Sequence, residues 1–397
     1  MAKGTSTIKN ALPSPDIAAM VLACRQFGAM IKQQGNKYFI TGVNGKPKTP
    51  DDVIDAGNSG QVLRYIAYIA GLQHQYVVIT GDASIRYNRP VQPVMEALAK
   101  LGMVCVSMRG DDYAPLIIKG PFQGNTSTLS GEDSQPVTGL LIASAFREET
   151  TTITVRNAGE KPWIELTLSW LDRLQIMYQH NNFVEYRVTG RTNVSAFNYH
   201  VAGDLSSLAY PLVAALITQS EITISNVDML EPQGDKMIVS VLQNMGANIS
   251  INKRNKTLTV HKTNVLYGME IDTNDFVDAI TILAVVGCFA LGTTTITGAS
   301  IARMKESDRI TTITCELKKM GANIKERPDG LVIEHSQLHA AAVDSHHDHR
   351  VAMSLAVAAL ATQEETVIYD IDCVQKSFPS FVDSMRSIGA EIVVDAQ

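Results

Sequence analysis

No two cysteines in this chain form a Cys-x-x-Cys pair. The five present (Cys24, Cys105, Cys288, Cys315, Cys373) are scattered, which leaves buried free thiols in a reducing compartment, the cytoplasm, as the reading. An excess of positive charge is also lacking: 34 Lys and Arg face 40 Asp and Glu, so no basic footprint for nucleic acid is present. The longest apolar stretch, residues 282–291, is too short to span a bilayer. No signal peptide opens the chain, and no membrane partner is expected. No linker or low-complexity segment interrupts it.

What is present is a repeat. Six β-type runs end in an isoleucine flanked by Thr, Ser or Gly. The six are Ile8, Ile79, Ile153, Ile224, Ile296 and Ile368, separated by 71, 74, 71, 72 and 72 residues. A constant period means one supersecondary unit copied. In each unit an Ala/Leu-rich helix precedes the isoleucine strand, and a second helix follows it. That helix stops at Gly28, Gly102, Gly246, Gly321 or Gly389, with Gln175 in the third unit. Glycine suits the left-handed position just past a helix end. Alternating runs such as Leu258-Thr259-Val260 and Leu331-Val332-Ile333 then read as half-buried strands. The unit is roughly βαβαβ, and six copies make an α/β protein. With 397 residues and 45% hydrophobic content, two domains of three units are expected, 1–200 and 201–397.

The same period predicts a shortfall. The first unit begins at Met1 without its opening helix, and the sixth stops without its later strand, turn and helix. Roughly forty residues are expected upstream when judged against the repeat. A truncated gene and a natural short form both fit.

Against the mildly acidic background, cations gather at turns beside helix starts. Gly57-Asn58-Ser59-Gly60 opens a helix containing Arg64. Free N–H groups there suit an anion, although such a run also suits a plain turn. Arg89 precedes Pro90, a residue favoured at helix starts; a solvated surface charge is the alternative. Arg303-Met304-Lys305-Glu306-Ser307-Asp308-Arg309 reads as a solvated face or as a site in which Lys305 and Arg309 point the same way. His346-His347-Asp348-His349-Arg350 invites a metal, but no second ligand cluster has suitable spacing. Lys376 precedes Pro379. Two domains could aim these helix ends into one cleft holding a small ligand with several negative charges.

The motifs Gly57-Asn58-Ser59-Gly60, Asn88-Arg89-Pro90, Gly203-Asp204-Leu205-Ser206-Ser207, Gln233-Gly234-Asp235, Lys305-Glu306-Ser307-Asp308-Arg309, Asp348-His349-Arg350 and Lys376-Ser377-Phe378-Pro379 resemble the 5-enolpyruvylshikimate-3-phosphate synthase family along essentially the whole chain. The resemblance implies a two-domain inside-out barrel of six βαβαββ units, the sixth incomplete here, with the active site in the interdomain cleft. It implies transfer of the enolpyruvyl group of phosphoenolpyruvate to a cyclic hydroxyl acceptor, shikimate 3-phosphate, without metal or organic cofactor. A monomer is the expected state.

By similarity Arg89, Gln135, Arg309, Arg350 and Lys376 would hold phosphoenolpyruvate, with Asn58, Gly60 and Arg64 in the same pocket and Ser134 toward the acceptor. Paired carboxylate and phosphate oxygens suit the arginine fork. Asp278 matches the family's base, with a helix-start cap as its other reading. Its apolar neighbours Phe276, Val277, Ala279 and Ile280 predict a less acidic carboxyl. Glu306 matches the group that protonates the methylene carbon, with Lys305 beside it. The loop Asp82-Ala83-Ser84-Ile85-Arg86 lacks the reactive cysteine of the related UDP-N-acetylglucosamine enolpyruvyl transferases.

Several positions depart from the family. Its opening Pro-Gly-Ser-Lys-Ser segment is absent, which leaves a non-catalytic remnant as an alternative. Ile301 stands near where an asparagine is common. Asp133 replaces the first serine of a phosphate-cradling Ser-Ser-Gln run, and Glu160-Lys161-Pro162-Trp163 replaces Ser-Lys-Pro-Tyr. Like charges about 4 Å apart repel by roughly 4 kcal/mol at an effective dielectric of about 20. An acceptor without the phosphate, or with an amine, is therefore the alternative expectation, unless a lysine such as Lys161 neutralises the two acids.

Overall fold

The structure, a computed structural model, describes residues 1–395; residues 396–397, the end of the second expected domain, lie outside it. The chain divides into two compact units, Met1–Val201 and the residues from Ala202 onward. Each has its own hydrophobic core.

Among the described residues the strands form six sheets, three in each unit. Each periodic isoleucine sits in a different sheet. In a complete sheet the isoleucine strand pairs parallel on one side and antiparallel on the other. In Tyr76–Thr80, Ile79 lies parallel to Ile54 and antiparallel to Leu116. Ile8 takes Tyr199 and Tyr38, Ile153 takes Ser127 and Tyr186, and Ile296 takes Ile271 and Leu331. An interior strand with helices against it favours β-branched residues, which explains Thr and Ile at these places.

Two sheets are smaller. Ala342–Asp344 and Val367–Tyr369 form a two-stranded parallel pair, with Val343 opposite Ile368. This is the sixth unit, where the period predicts a missing strand. The fourth sheet is also short, with the three strands Ile222–Ser225, Thr257–Val260 and Ile249–Asn252 and no parallel partner for the first. The sequence period does not predict that second gap, because it counts isoleucine strands and not their edge partners.

The helix stops behave as glycine predicts. Gly28, Gly102, Gly246, Gly321 and Gly389 lie at φ between 74° and 103°. Gln175 holds the same left-handed region at φ 55°, so the third unit keeps the geometry with a residue that tolerates it less well.

In the second unit the helices Leu205–Ile217, Ile280–Phe289 and His349–Ala359 pack on one another. The apolar run 282–291 belongs to the middle one, a helix enclosed by protein on nearly every side. No helix of the described residues is long and apolar enough to cross a membrane. In the first unit Gly60–Ala70 lies against Ser134–Ser144. They approach closely at Gly139, where a Cβ would stand 2.7 Å from the Tyr68 ring.

Candidate active site

The second unit carries a lattice of alternating charges at the starts of its helices. Arg309 opens Arg309–Lys319 and is 1% exposed. Its Nη1 donates to Asp278 Oδ1 at 2.7 Å, its Nη2 to Glu306 Oε2 at 2.7 Å, and its Nε to Asp348 Oδ2 at 2.8 Å. One planar fork thus holds three carboxylates, a geometry that lysine cannot reproduce. Arg350, in the first turn of His349–Ala359, takes the other oxygen of Asp278 at 2.9 Å and reaches Ser206 Oγ at 3.2 Å. Lys376 ends the short turn Ile371–Lys376 and donates to Glu306 Oε1 at 2.6 Å. Asp278 is therefore clasped between two arginines, and Glu306 between an arginine and a lysine.

Asp278 lies in the single turn Val277–Ala279 and makes no capping bond there. Its side chain keeps 22% exposure. Burial would raise its pKa, but Arg350, Arg309 and Lys305 outweigh burial and hold the carboxyl well below the ordinary range. Asp348 caps the helix behind it through Arg350 N and accepts from Ser307.

The first unit carries a second, simpler group. Arg64 and Arg89 are each 4% exposed. Arg64 Nη1 donates to Gln135 Oε1 at 2.8 Å, and its Nη2 meets Asp133 Oδ2 at 3.1 Å and the carbonyl of Pro90 at 3.3 Å. Gly60 is what lets them gather. A Cβ there would lie 2.7 Å from Arg64 Nη1, 3.2 Å from Arg89 Nη1 and 3.2 Å from Gln135 Oε1. Beside this group the Glu160 carboxylate folds onto the start of Ser134–Ser144, where Oε2 accepts from Ser134 N and Oγ, both at 2.9 Å. Glu160 is 4% exposed and its backbone is left-handed at φ 44°.

The family model for EPSP synthase (3-phosphoshikimate 1-carboxyvinyltransferase) matches residues 1–385. The chain belongs to the EPSP synthase family. A 3-phosphoshikimate 1-carboxyvinyltransferase of Ruminiclostridium cellulolyticum is 40% identical over 392 residues, 99% of this chain and 92% of that protein. One of Methanocella arvoryzae is 42% identical over 389 residues, 98% and 91% of the two chains. The solved EPSP synthase of Acinetobacter baumannii superposes with a TM-score of 0.82 at 25% identity, covering 100% of this chain and 92% of that one.

Within this EPSP synthase family member, the residues singled out from sequence fall into the two groups just described. Asp278, Glu306, Arg309, Arg350 and Lys376 come together in the second unit, with Lys305 adding its field to Asp278. Gly60, Arg64, Arg89 and Gln135 come together in the first. Two others are engaged elsewhere: Asn58 donates to Asp82 Oδ2 at 2.7 Å, and Ser134 is taken up by Glu160. Pro90 is not itself a helix start; the helix begins at Gln92 after Val91.

Two expectations change, and the histidine run is placed. The predicted loss of acidity at Asp278 is reversed, because its neighbours in space are arginines and not the apolar residues beside it in sequence. Of the charged run 303–309, Arg303 and Asp308 are structural, with Arg303 gripping the carbonyls of Arg327 and Pro328 and Asp308 capping the helix at Thr311. The three histidines of the 346–349 run face apart. His346 bonds Glu316 at 2.9 Å, His347 is 82% exposed beside Asp370, and His349 is buried and held neutral, its pKa pushed down to about 3 mainly by burial.

Sequence reasoning gave no role to Asp348, the third carboxylate on Arg309, nor to Asp235, although both lie in quoted motifs. The signal available was a carboxylate inside a motif otherwise built of cations and turn residues.

Proposed function

We propose that this protein transfers the enolpyruvyl group of phosphoenolpyruvate to the 5-hydroxyl of shikimate 3-phosphate, releasing phosphate. The observation that carries the reading is the pair of carboxylates, Asp278 and Glu306, held on the shared cation Arg309 and each closed by a second cation. Carboxylate and phosphate groups of the substrates suit those cations. As substrate anions take a share of the charge of Arg309 and Arg350, Asp278 regains proton affinity.

In this reading Arg89, Gln135, Arg309, Arg350 and Lys376 are the phosphoenolpyruvate ligands, with Gly60 and Arg64 beside them. Asp278 takes the hydroxyl proton as the new C–O bond forms. Glu306, with Lys305 nearby, supplies a proton to the methylene carbon. Elimination of phosphate then restores the double bond, as Glu306 takes a proton back from the methyl carbon. The protein is taken to act as a cytoplasmic monomer without metal or organic cofactor, through two domains of three repeats. The test is phosphate release from phosphoenolpyruvate with and without shikimate 3-phosphate. Acceptor-dependent release supports the reading, and none at any substrate concentration overturns it.

Glu160 favours a second reading. Helix N-termini suit anions, but the donors at Ser134 already hold a carboxylate. A phosphate approaching them meets Glu160 and Asp133, a repulsion of roughly 4 kcal/mol per close pair at an effective dielectric of about 20. An acceptor presenting a neutral or amino group is the alternative. Turnover with shikimate and an amino analogue in place of shikimate 3-phosphate decides between them. Under the second reading Glu160→Ser shifts preference toward the phosphorylated acceptor; an unchanged preference for shikimate 3-phosphate in both forms rules it out.

A further inference from the structure

Asp235 is the most anomalous charged group of the second unit. It sits in the turn Gly234–Lys236, is 1% exposed, and neither carboxyl oxygen has a hydrogen-bond partner among the described residues. Buried carboxylates are ordinarily paired or bonded, because desolvating an unpaired one is very costly. Asp235 lines one small pocket with Ser206, Tyr210, Asp278 and Arg350. Arg350 Nε, buried at this place, also has no hydrogen-bond partner among the described residues. Ala209, Ile238, Ala279 and Ile282 complete the lining, so a largely apolar pocket surrounds the guanidinium that clasps the proposed base.

We propose that Asp235 is a positioning residue for the base: neutral, it leaves the charge of Arg350 to Asp278, and ionised, it draws on Arg350 and raises the proton affinity of Asp278. The inference rests on the reading of Asp278 as the base. Physically, Arg350 has one charge to share. While Asp235 is a neutral acid, Asp278 has the charge of Arg350 to itself, with a share of that of Arg309, and is a weak base. An anion at Asp235 adds a like charge beside Asp278 and diverts Arg350, and both changes favour protonation of Asp278.

The charged and titratable groups acting on Asp235 are Arg350, Asp278 and Asp204, with Tyr210 lining the same cavity. Burial, with Asp278 and Asp204 added, outweighs Arg350 and lifts the Asp235 pKa to about 7. Proton transfer from the acceptor hydroxyl ends on Asp278, and the proton that Asp235 loses beforehand goes to solvent.

The experiment is the pH profile of kcat/KM for phosphate release, compared among the native protein, Asp235→Asn and Asp235→Glu. The native profile is expected to rise through neutrality. Asp235→Asn is expected to lose that limb, and Asp235→Glu to retain it at a shifted pH. A limb unchanged in Asp235→Asn overturns the proposal, whatever the fall in overall rate.

Carbon-13 NMR titration of the aspartate carboxyls supplies a readout that does not need turnover. The Asp278 resonance, assigned by its loss in Asp278→Asn, is expected to show a second inflection where Asp235 titrates. That inflection should vanish in Asp235→Asn. An Asp278 signal that is flat through the Asp235 titration also overturns the proposal, and an absence of phosphate release with the inflection present would instead count against the enolpyruvyl-transfer reading.

Discussion

The two groups of site residues are built on different electrostatic plans. In the first unit two buried arginines and a glutamine gather around a glycine, and Asp133 pairs with Arg64. In the second unit Arg309, Arg350 and Lys376 are each tied to at least one carboxylate, and Arg309 to three. A cationic group with few internal anions suits holding an anionic ligand. A lattice of alternating charges suits moving protons, because displacing one partner changes the proton affinity of the next. On the proposed reading the first group holds substrate, and the second both holds it and moves protons.

The largest effect is expected at Arg309. Arg309→Ala leaves Asp278, Glu306 and Asp348 without their common cation. Breaking buried pairs of this kind costs about 3–5 kcal/mol, so a fall in thermal stability should accompany loss of phosphate release. A variant that melts with the native protein would show that the lattice is not held as described.

Gly60→Ala tests the other group more gently. Its Cβ would enter the space between Arg64, Arg89 and Gln135. The expected result is a KM for phosphoenolpyruvate raised roughly tenfold or more, the equivalent of about 1.4 kcal/mol, with the melting temperature nearly unchanged. An unaltered KM would remove that group from the binding role.

Asp235→Asn sharpens the comparison through stability. The folded pKa of Asp235 is raised to about 7 from an ordinary 3.8. Between those values the unfolded chain releases a proton that the folded chain keeps, so this group makes the fold lose stability as pH rises from about 4 to about 7. Asp235→Asn should therefore gain in melting temperature over the native protein at pH 8 relative to pH 4. An equal difference at both pH values would contradict an elevated Asp235. The smallest effect is expected at His347, exposed and outside the lattice: His347→Ala should release phosphate within about twofold of the native rate, as surface substitutions usually change little.

The repeat was legible because copied units align themselves: Ile8, Ile79, Ile153, Ile224, Ile296 and Ile368 each found a separate sheet. The gap in the fourth sheet was not, since Asn198–His200, which precedes that isoleucine strand as Glu270–Asp272 precedes Thr293–Thr297, pairs instead with Thr5–Lys9. Site cations were legible because Arg89, Arg309, Arg350 and Lys376 flank helix starts that Gly, Pro and small polar residues announce. Their partners were not. The acidity of Asp278 depends on Arg309 and Arg350, far away in sequence, while the apolar residues next to it suggested the reverse. Glu160 was marked as a misplaced acid by its motif, but its seat on Ser134 follows from a left-handed backbone that sequence does not display.

The most direct test of the account is acceptor-dependent phosphate release from phosphoenolpyruvate by the native protein and by Asp278→Asn, a change that keeps the side chain's shape and removes its charge. General-base contributions are typically 10²–10⁴-fold, and a loss of at least about 100-fold in kcat, with phosphoenolpyruvate still bound, is the predicted result. Release undiminished in Asp278→Asn would contradict it.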